Sequence, residues 1–191
     1  MIDYLQPEFY RFNEDSLRLV KWVLSKANEA GSILDLGAGC GVIGIELSRQ
    51  LRPKTLTLVE AQPEYSDLLK NNCEHFLPPE TYSEIEVKKF SEWFPERKYD
   101  LIVSNPPYFL PGHGERNADI RKETARSFIL DNWQIFLSRI SEALSEKGKA
   151  WLVVRDDKRI IQELNRDSSL AKKIHQDKNL LFIELSRLNK N

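Results

Sequence analysis

Hydrophobic positions along this chain switch repeatedly between helical spacing and short unbroken runs. Residues 13–27 set Leu17, Val20, Trp22 and Leu24 at helical intervals behind Asn13, a residue type suited to capping a helix start. Ser32-Ile33-Leu34-Asp35-Leu36 is too short for a helix and ends in glycines, which predicts a buried strand. A helix follows over 42–51, then a β-branched strand over 55–60. Pro63, a residue favoured in a first helical turn, leads into a helix over 64–76. Strands are predicted over 85–87 and 99–104, and a long amphipathic helix over 127–144, with Gly148 past its end. A strand over 149–154, a short helix to about Arg166 and strands near 172–176 and 180–188 complete the pattern, the last two joined by a turn at Asp177-Lys178-Asn179.

Alternating strands and helices of this kind build a parallel sheet with helices on both faces, connected by right-handed crossovers. The two adjacent strands at the tail break the alternation and add antiparallel pairing. The expected fold is therefore α/β: a doubly wound, mostly parallel Rossmann-like sheet with an antiparallel C-terminal strand. Residues 1–30 read as an N-terminal helical extension contributing to a substrate crevice, and 31–191 as the main domain.

With 191 residues, 41% hydrophobic and 30% charged, the chain can bury a core of its own. No apolar run approaches membrane-spanning length, and the N-terminus lacks the basic start and apolar stretch of a signal peptide. The two cysteines, Cys40 and Cys73, form neither a disulfide framework nor a zinc site by themselves, so a reducing, cytoplasmic setting without a metal is expected. A net charge of -1 gives no global attraction to nucleic acid, yet residues 147–191 carry 11 Lys and Arg against 6 Asp and Glu. That end is basic; solvated lysines on surface helices are the favoured account of it.

Asp35-Leu36-Gly37-Ala38-Gly39-Cys40-Gly41-Val42-Ile43-Gly44 follows a predicted strand and opens a helix. Glycines in that place let the chain turn tightly and let a ligand approach the backbone. Glu60 ends the next strand, where a carboxylate can accept hydrogen bonds from both hydroxyls of a ribose. A nucleoside ligand follows. A dinucleotide competes for this reading, but an acid inside the first strand suits a cationic ligand or loop bracing better than a pyrophosphate. The L-D-L-G-A-G-C-G run resembles motif I of the class I S-adenosylmethionine-dependent methyltransferases, and the resemblance extends over residues 30–155. It implies S-adenosylmethionine as cofactor, held by Asp35, Gly37, Ala38, Gly39 and Glu60, with Asn105 bordering it. That family usually places an Asp after the third strand against the adenine amine; Ser91 stands there by spacing, with Glu92 beside it as the alternative. Trp93 is a further candidate to pack near the adenine.

Ser104-Asn105-Pro106-Pro107-Tyr108-Phe109 comes directly after the fourth strand. Two prolines end the strand and stiffen the turn. An amino group on an aromatic ring or acyl carbon has its lone pair delocalised and is a poor nucleophile. Acceptors aimed at its N–H groups draw the nitrogen toward tetrahedral geometry. The Asn105 side-chain oxygen and the Pro106 backbone oxygen are of the right type. Pro107 lacks an N–H and cannot compete for them, and the flat Tyr108 can stack on the planar group. This N-P-P-Y matches the motif of methyltransferases acting on planar amines, which include adenine methyltransferases of DNA and RNA and glutamine methyltransferases of release factors. The resemblance implies catalytic roles for Asn105, Pro106, Pro107 and Tyr108.

The flanks bear on the substrate. The Q-P…Y-R-F…D-S-L run over residues 6–17, and the stretch from Phe109 to Arg126, resemble the bacterial tRNA (adenine-N6)-methyltransferases that modify the adenosine beside the valine tRNA anticodon. Glutamine methyltransferases usually carry a larger helical domain ahead of the glycine loop, where about 30 residues stand here. The expectation is methyl transfer to an adenine exocyclic amine in RNA, with tRNA as partner and Arg11, Phe12, Tyr108 and Arg116 contacting it. Two alternatives stay open: glutamine methylation of a protein, and a cofactor-binding module without turnover.

Overall fold

The computed structural model describes residues 3–8, 12, 14–106 and 132–188. Its elements, in chain order, are α1 (Glu14–Leu24), β1 (Ser32–Leu36), α2 (Val42–Leu51), β2 (Thr55–Glu60), a 3-10 turn (Pro63–Tyr65), α3 (Ser66–Phe76), β3 (Tyr82–Val87), β4 (Tyr99–Ser104), α4 (Trp133–Ala143), β5 (Leu144–Arg155), α5 (Lys158–Arg166), β6 (Leu170–Asp177) and β7 (Leu180–Arg187). The strands form one sheet in the order β3-β2-β1-β4-β5-β7-β6. Strands β1 to β5 pair in parallel, whereas β7 runs antiparallel to both β5 and β6. The fold is thus the doubly wound, mostly parallel Rossmann-like sheet with antiparallel C-terminal pairing.

A period of two along the central strands sorts side chains between two cores. Leu34, Leu36, Ile102, Leu152 and Val154 join Trp133, Phe136 and Ile140 of α4 and Ile160 of α5. Ile33, Leu58, Leu101, Val103, Trp151 and Val153 join Leu19 and Val23 of α1, Ile45 of α2 and Leu69 of α3. Trp22 of α1 meets Trp151 edge-on at 4.7 Å, an arrangement favoured by the ring quadrupoles. Trp93 is fully buried and its Nε1 donates to Glu86 at 2.8 Å, so it is a core residue and not a free face for the adenine.

Several boundaries differ from the pattern read along the chain, those of α4 and β5 among them. α4 starts at Trp133, capped by the Asn132 side chain accepting from the Ile135 N–H at 2.9 Å. Asn13 and residues 127–131 lie outside the described residues. β5 begins at Leu144 rather than Lys149, pairing Leu144 with Tyr99 across a register shift, which places Gly148 inside the strand. Its polar Ser145-Glu146-Lys147 stretch hid that pairing. Among the described residues, no helix is long and apolar enough to cross a membrane.

Candidate active site

Strand order reverses between β1 and β4: β2 and β3 lie on one side of β1, β4 and β5 on the other. Chains leaving the carboxyl ends of these two neighbours diverge and open a crevice. The glycine loop leaves β1 and the Asn105-Pro106 turn leaves β4, so both reach the same end of the sheet. Parallel pairing of Asp35 with Val103 fixes their register. The buried Ser104 hydroxyl then donates to the Leu36 carbonyl, joining the two turns at their roots. A Cβ on Gly37 would stand 3.9 Å from Ser104 Oγ and 3.5 Å from the ring of Phe90, so these residues wall one region.

The loop is held from several sides. The Gly37 and Ala38 N–H groups donate to the Val59 carbonyl at 2.8 and 3.0 Å. Gly41 caps α2 in the left-handed region, at φ 84°. Gly44 is dictated by close approach: a Cβ there would meet Leu56 at 2.9 Å and Asp35 Oδ2 at 3.0 Å. Its N–H instead donates to that oxygen at 2.8 Å. Asn72 of α3, fully buried, donates to the Cys40 carbonyl at 2.9 Å and to the Leu5 carbonyl at 3.0 Å. It thereby ties the N-terminal segment to the loop.

Two acids sit at the carboxyl ends of β1 and β2. Glu60 Oε2 accepts from the Gly39 N–H at 2.8 Å and Oε1 from the Gln62 N–H at 2.9 Å. Burial raises its pKa, while the N–H groups of Gln62, Gly39 and Ala61 oppose the rise. Burial also pushes Asp35 up to about 7; the Gly44 N–H works against this and the Glu60 charge adds to it. Asp35 Oδ1 is buried with no hydrogen-bond partner among the described residues. A buried carboxylate with an orphaned acceptor beside a second acid calls for positive charge. S-adenosylmethionine, which carries a sulfonium and an ammonium, fits that demand, and each Glu60 oxygen retains lone-pair capacity for a ribose hydroxyl.

On the other wall, the Asn105 side-chain Nδ2 donates to Ser16 Oγ of α1 at 2.9 Å. Ser91 is half-buried, and Arg139 of α4 braces its segment by donating to the Phe90 carbonyl at 2.9 Å. Glu92 points outward, 3.6 Å from Lys89, with its side chain 60% exposed. Phe12 is half-buried and its N–H donates to Gln6 Oε1 at 3.1 Å. Arg11, Pro107, Tyr108 and Arg116 lie outside the described residues. Burial pushes the Cys40 thiol up to about 12, which leaves it protonated and unsuited to nucleophilic attack. Among the described residues, no cluster of three or more His, Cys, Asp or Glu could hold a metal.

The structure therefore brings Asp35, Gly37, Ala38, Gly39, Glu60, Asn105 and Pro106 to one end of the sheet. Reading the sequence did not assign roles to Ser16, Ser104, Phe90 or Asn72. Ser16 lies in the D-S-L run, the one signal that could have pointed to it; the others are ordinary residues made relevant by contacts across the fold.

Comparisons with known proteins agree with this geometry. Residues 14–182 match the family model described as methyltransferase small domain. A tRNA1(Val) (adenine(37)-N6)-methyltransferase of Pedobacter heparinus is 31% identical over 144 residues, covering 75% of this chain and 59% of that protein. A release factor glutamine methyltransferase of Geobacter sulfurreducens is 29% identical over 147 residues, covering 73% of this chain and 50% of that protein. The chain thus spans between half and three-fifths of the length of these two relatives. The crystal structure of a ribosomal protein L11 methylase from Lactobacillus delbrueckii subsp. bulgaricus superposes with a TM-score of 0.62 at 16% identity, covering 94% of this chain and 81% of that one, which is a likeness of fold. By the match of residues 14–182 to its family model, the chain belongs to the methyltransferase small-domain family, whose cofactor is S-adenosylmethionine.

Proposed function

We propose that this chain transfers a methyl group from S-adenosylmethionine to the exocyclic amine of adenine in RNA, with tRNA as the substrate. The observation that carries the reading is the joining of the glycine loop and the Asn105-Pro106 turn through Ser104 and Leu36 at the switch point of the sheet. The similarity to an enzyme named for tRNA adenine methylation supports the choice of substrate.

The bound cofactor supplies an electrophilic methyl. The protein's part is placement and charge. Asp35 and Glu60 complement the positive ligand, and Ser91 lies on the segment expected to meet the adenine ring of the cofactor. Asn105 Oδ1 and the Pro106 carbonyl accept the two N–H groups of the substrate amine and turn its lone pair toward the methyl. Proline fixes φ at Pro106 and so limits the swing of this acceptor pair. No strong base is required, since the amine proton is acidified once the fourth bond to nitrogen forms; orientation supplies most of the rate. Tyr108 stacks on the base, and residues 1–30, including Arg11 and Phe12, line the crevice with Arg116. The setting is a cytoplasmic one.

The test is incubation with tritium-labelled S-adenosylmethionine and bulk bacterial tRNA, or a peptide release factor, followed by digestion. Label recovered as N6-methyladenosine supports the reading. Label on a release-factor glutamine supports protein methylation. Cofactor binding without label on either supports a module without turnover.

A further inference from the structure

We propose that the basic groove between the C-terminal half of α1 and the β6–β7 edge of the sheet holds backbone phosphates of the RNA substrate. This rests on the reading of the substrate as RNA and extends its footprint away from the reactive turn. Solvated lysines on helices do not describe the whole basic C-terminal end, because Lys149 and Lys173 stand on strands β5 and β6. Directly opposed residues of antiparallel strands share a face. Trp151 opposes Glu184, Lys173 opposes the same Glu184, and His175 opposes Phe182. Trp151 and Phe182 belong to the core that α1 covers. Lys149, two residues before Trp151 on one strand, therefore lies on that face with Lys173 and His175.

α1 covers only part of this face. Its Trp22 packs against Trp151 and Phe182, at 4.7 and 5.2 Å between ring centroids. Beside it lies an open groove of about 400 Å³, lined by Trp22, Ser25 and Lys26 on one side and by Lys173, His175 and Glu184 on the other. Glu184 is the acid of that lining; its Oε1 lies 2.9 Å from Lys149 Nζ and 4.0 Å from Lys173 Nζ. One carboxylate thus stands against three ammonium groups, those of Lys26, Lys149 and Lys173. Lys173 has 82% of its side chain exposed, and so long and exposed a pair with Glu184 leaves it able to turn to an anion at little cost. An apolar protein surface would strand these charges, whereas a polyanion answers them. Lysines meet phosphates as point charges and position a nucleic acid without reading its sequence. The groove is also near the target. Ser16 of α1 meets Asn105, and Trp22 follows about 9 Å further along the helix at about 1.5 Å per residue. That is the rise of about three stacked nucleotides at about 3.4 Å each.

Binding of the full chain to bulk tRNA, followed by filter retention from about 50 to about 200 mM salt, tests this. Lys26→Gln/Lys173→Gln should raise Kd at least about fivefold and flatten the slope of log Kd against log salt by about 1–2, because two phosphate contacts are lost. The KM for tRNA should rise in step, while the Kd for S-adenosylmethionine stays within about twofold. Lys26→Arg/Lys173→Arg keeps the charges and should bind as the wild type does. Lys54→Gln/Lys98→Gln removes as many charges from exposed residues ahead of β2 and β4, at the end of the sheet opposite the crevice, and should change Kd by less than about twofold. Equal Kd and slope for the groove and control variants, with tRNA methylated by the wild type, overturn the proposal and leave the reading of the site standing. So does self-association of Lys173→Gln with unchanged Kd, which would make Lys173 a guard of the β6 edge. Label on a release factor and none on tRNA overturns the reading of the substrate, and the proposal falls with it.

Discussion

The two turns that meet at the switch point are built on opposite physical plans. The glycine loop after β1 is a charged construction: two buried carboxylates, both with raised pKa, held in place by backbone N–H donors. The turn after β4 is a neutral one: an amide, a proline carbonyl and a serine hydroxyl. The first leaves electrostatic tension that a positive ligand relieves. The second needs only direction. On the proposed reading, charge on one wall sets affinity and geometry on the other sets rate, so substitutions on the two walls should be separable in kinetics.

The largest separation should come from Asn105→Ala. Removing one preorganised acceptor should reduce methyl transfer on the order of 10²–10³-fold. Cofactor affinity, measured by calorimetry, should hardly change. A parallel loss of affinity would mean that the two walls are not independent.

Asp35→Asn should act in the opposite sense on stability and on binding. With its native pKa near 7, the Asp35 carboxyl is protonated in the folded state at pH 5 but ionised in the unfolded chain. Folding then takes up a proton, so stability is favoured below about pH 4 and is lost as pH rises through about 7. Without ligand, the Asn variant should be more stable than wild type by about 1–3 kcal/mol at pH 8, and the gain should vanish near pH 4. Urea unfolding across this range checks it. Cofactor binding by the variant should be weaker above about pH 7, and the difference should shrink as pH falls and the wild-type carboxyl takes up its proton. Gly44→Ala, whose added Cβ would crowd Leu56 and Asp35, should cost about 1–3 kcal/mol. The smallest effect is expected from Glu92→Gln. Its outward side chain makes an exposed pair with Lys89, so cofactor affinity should stay within about twofold and stability within about 0.5 kcal/mol. A larger loss of affinity would move the adenine contact from Ser91 to Glu92.

Legibility in the sequence followed burial. β1, β2, β4 and α2 fall where unbroken apolar runs and glycines put them, since strands buried on both faces read as continuous hydrophobic segments. β3 was read short, from Ile85, because it is an edge strand whose first residues, from Tyr82, are exposed or half-buried. The start of β5 was missed because Ser145 to Lys147 are polar although Leu144 pairs with Tyr99. The glycine loop, Glu60 and the Asn105-Pro106 turn stood out because their chemistry depends on residue type at fixed spacing. Ser16 and Asn72 did not, since a serine in a helix or a buried asparagine has no local signature. Their meaning comes from partners far along the chain, at Asn105 for one and at Leu5 and Cys40 for the other.

The most direct measurement is a crystal structure of this chain with S-adenosylhomocysteine. The account predicts both ribose hydroxyls within hydrogen-bond distance of Glu60, with the thioether sulfur facing the Asn105 side chain across the space of one methyl and one amine. A nucleoside seated away from Glu60, or a sulfur turned from Asn105, would contradict it.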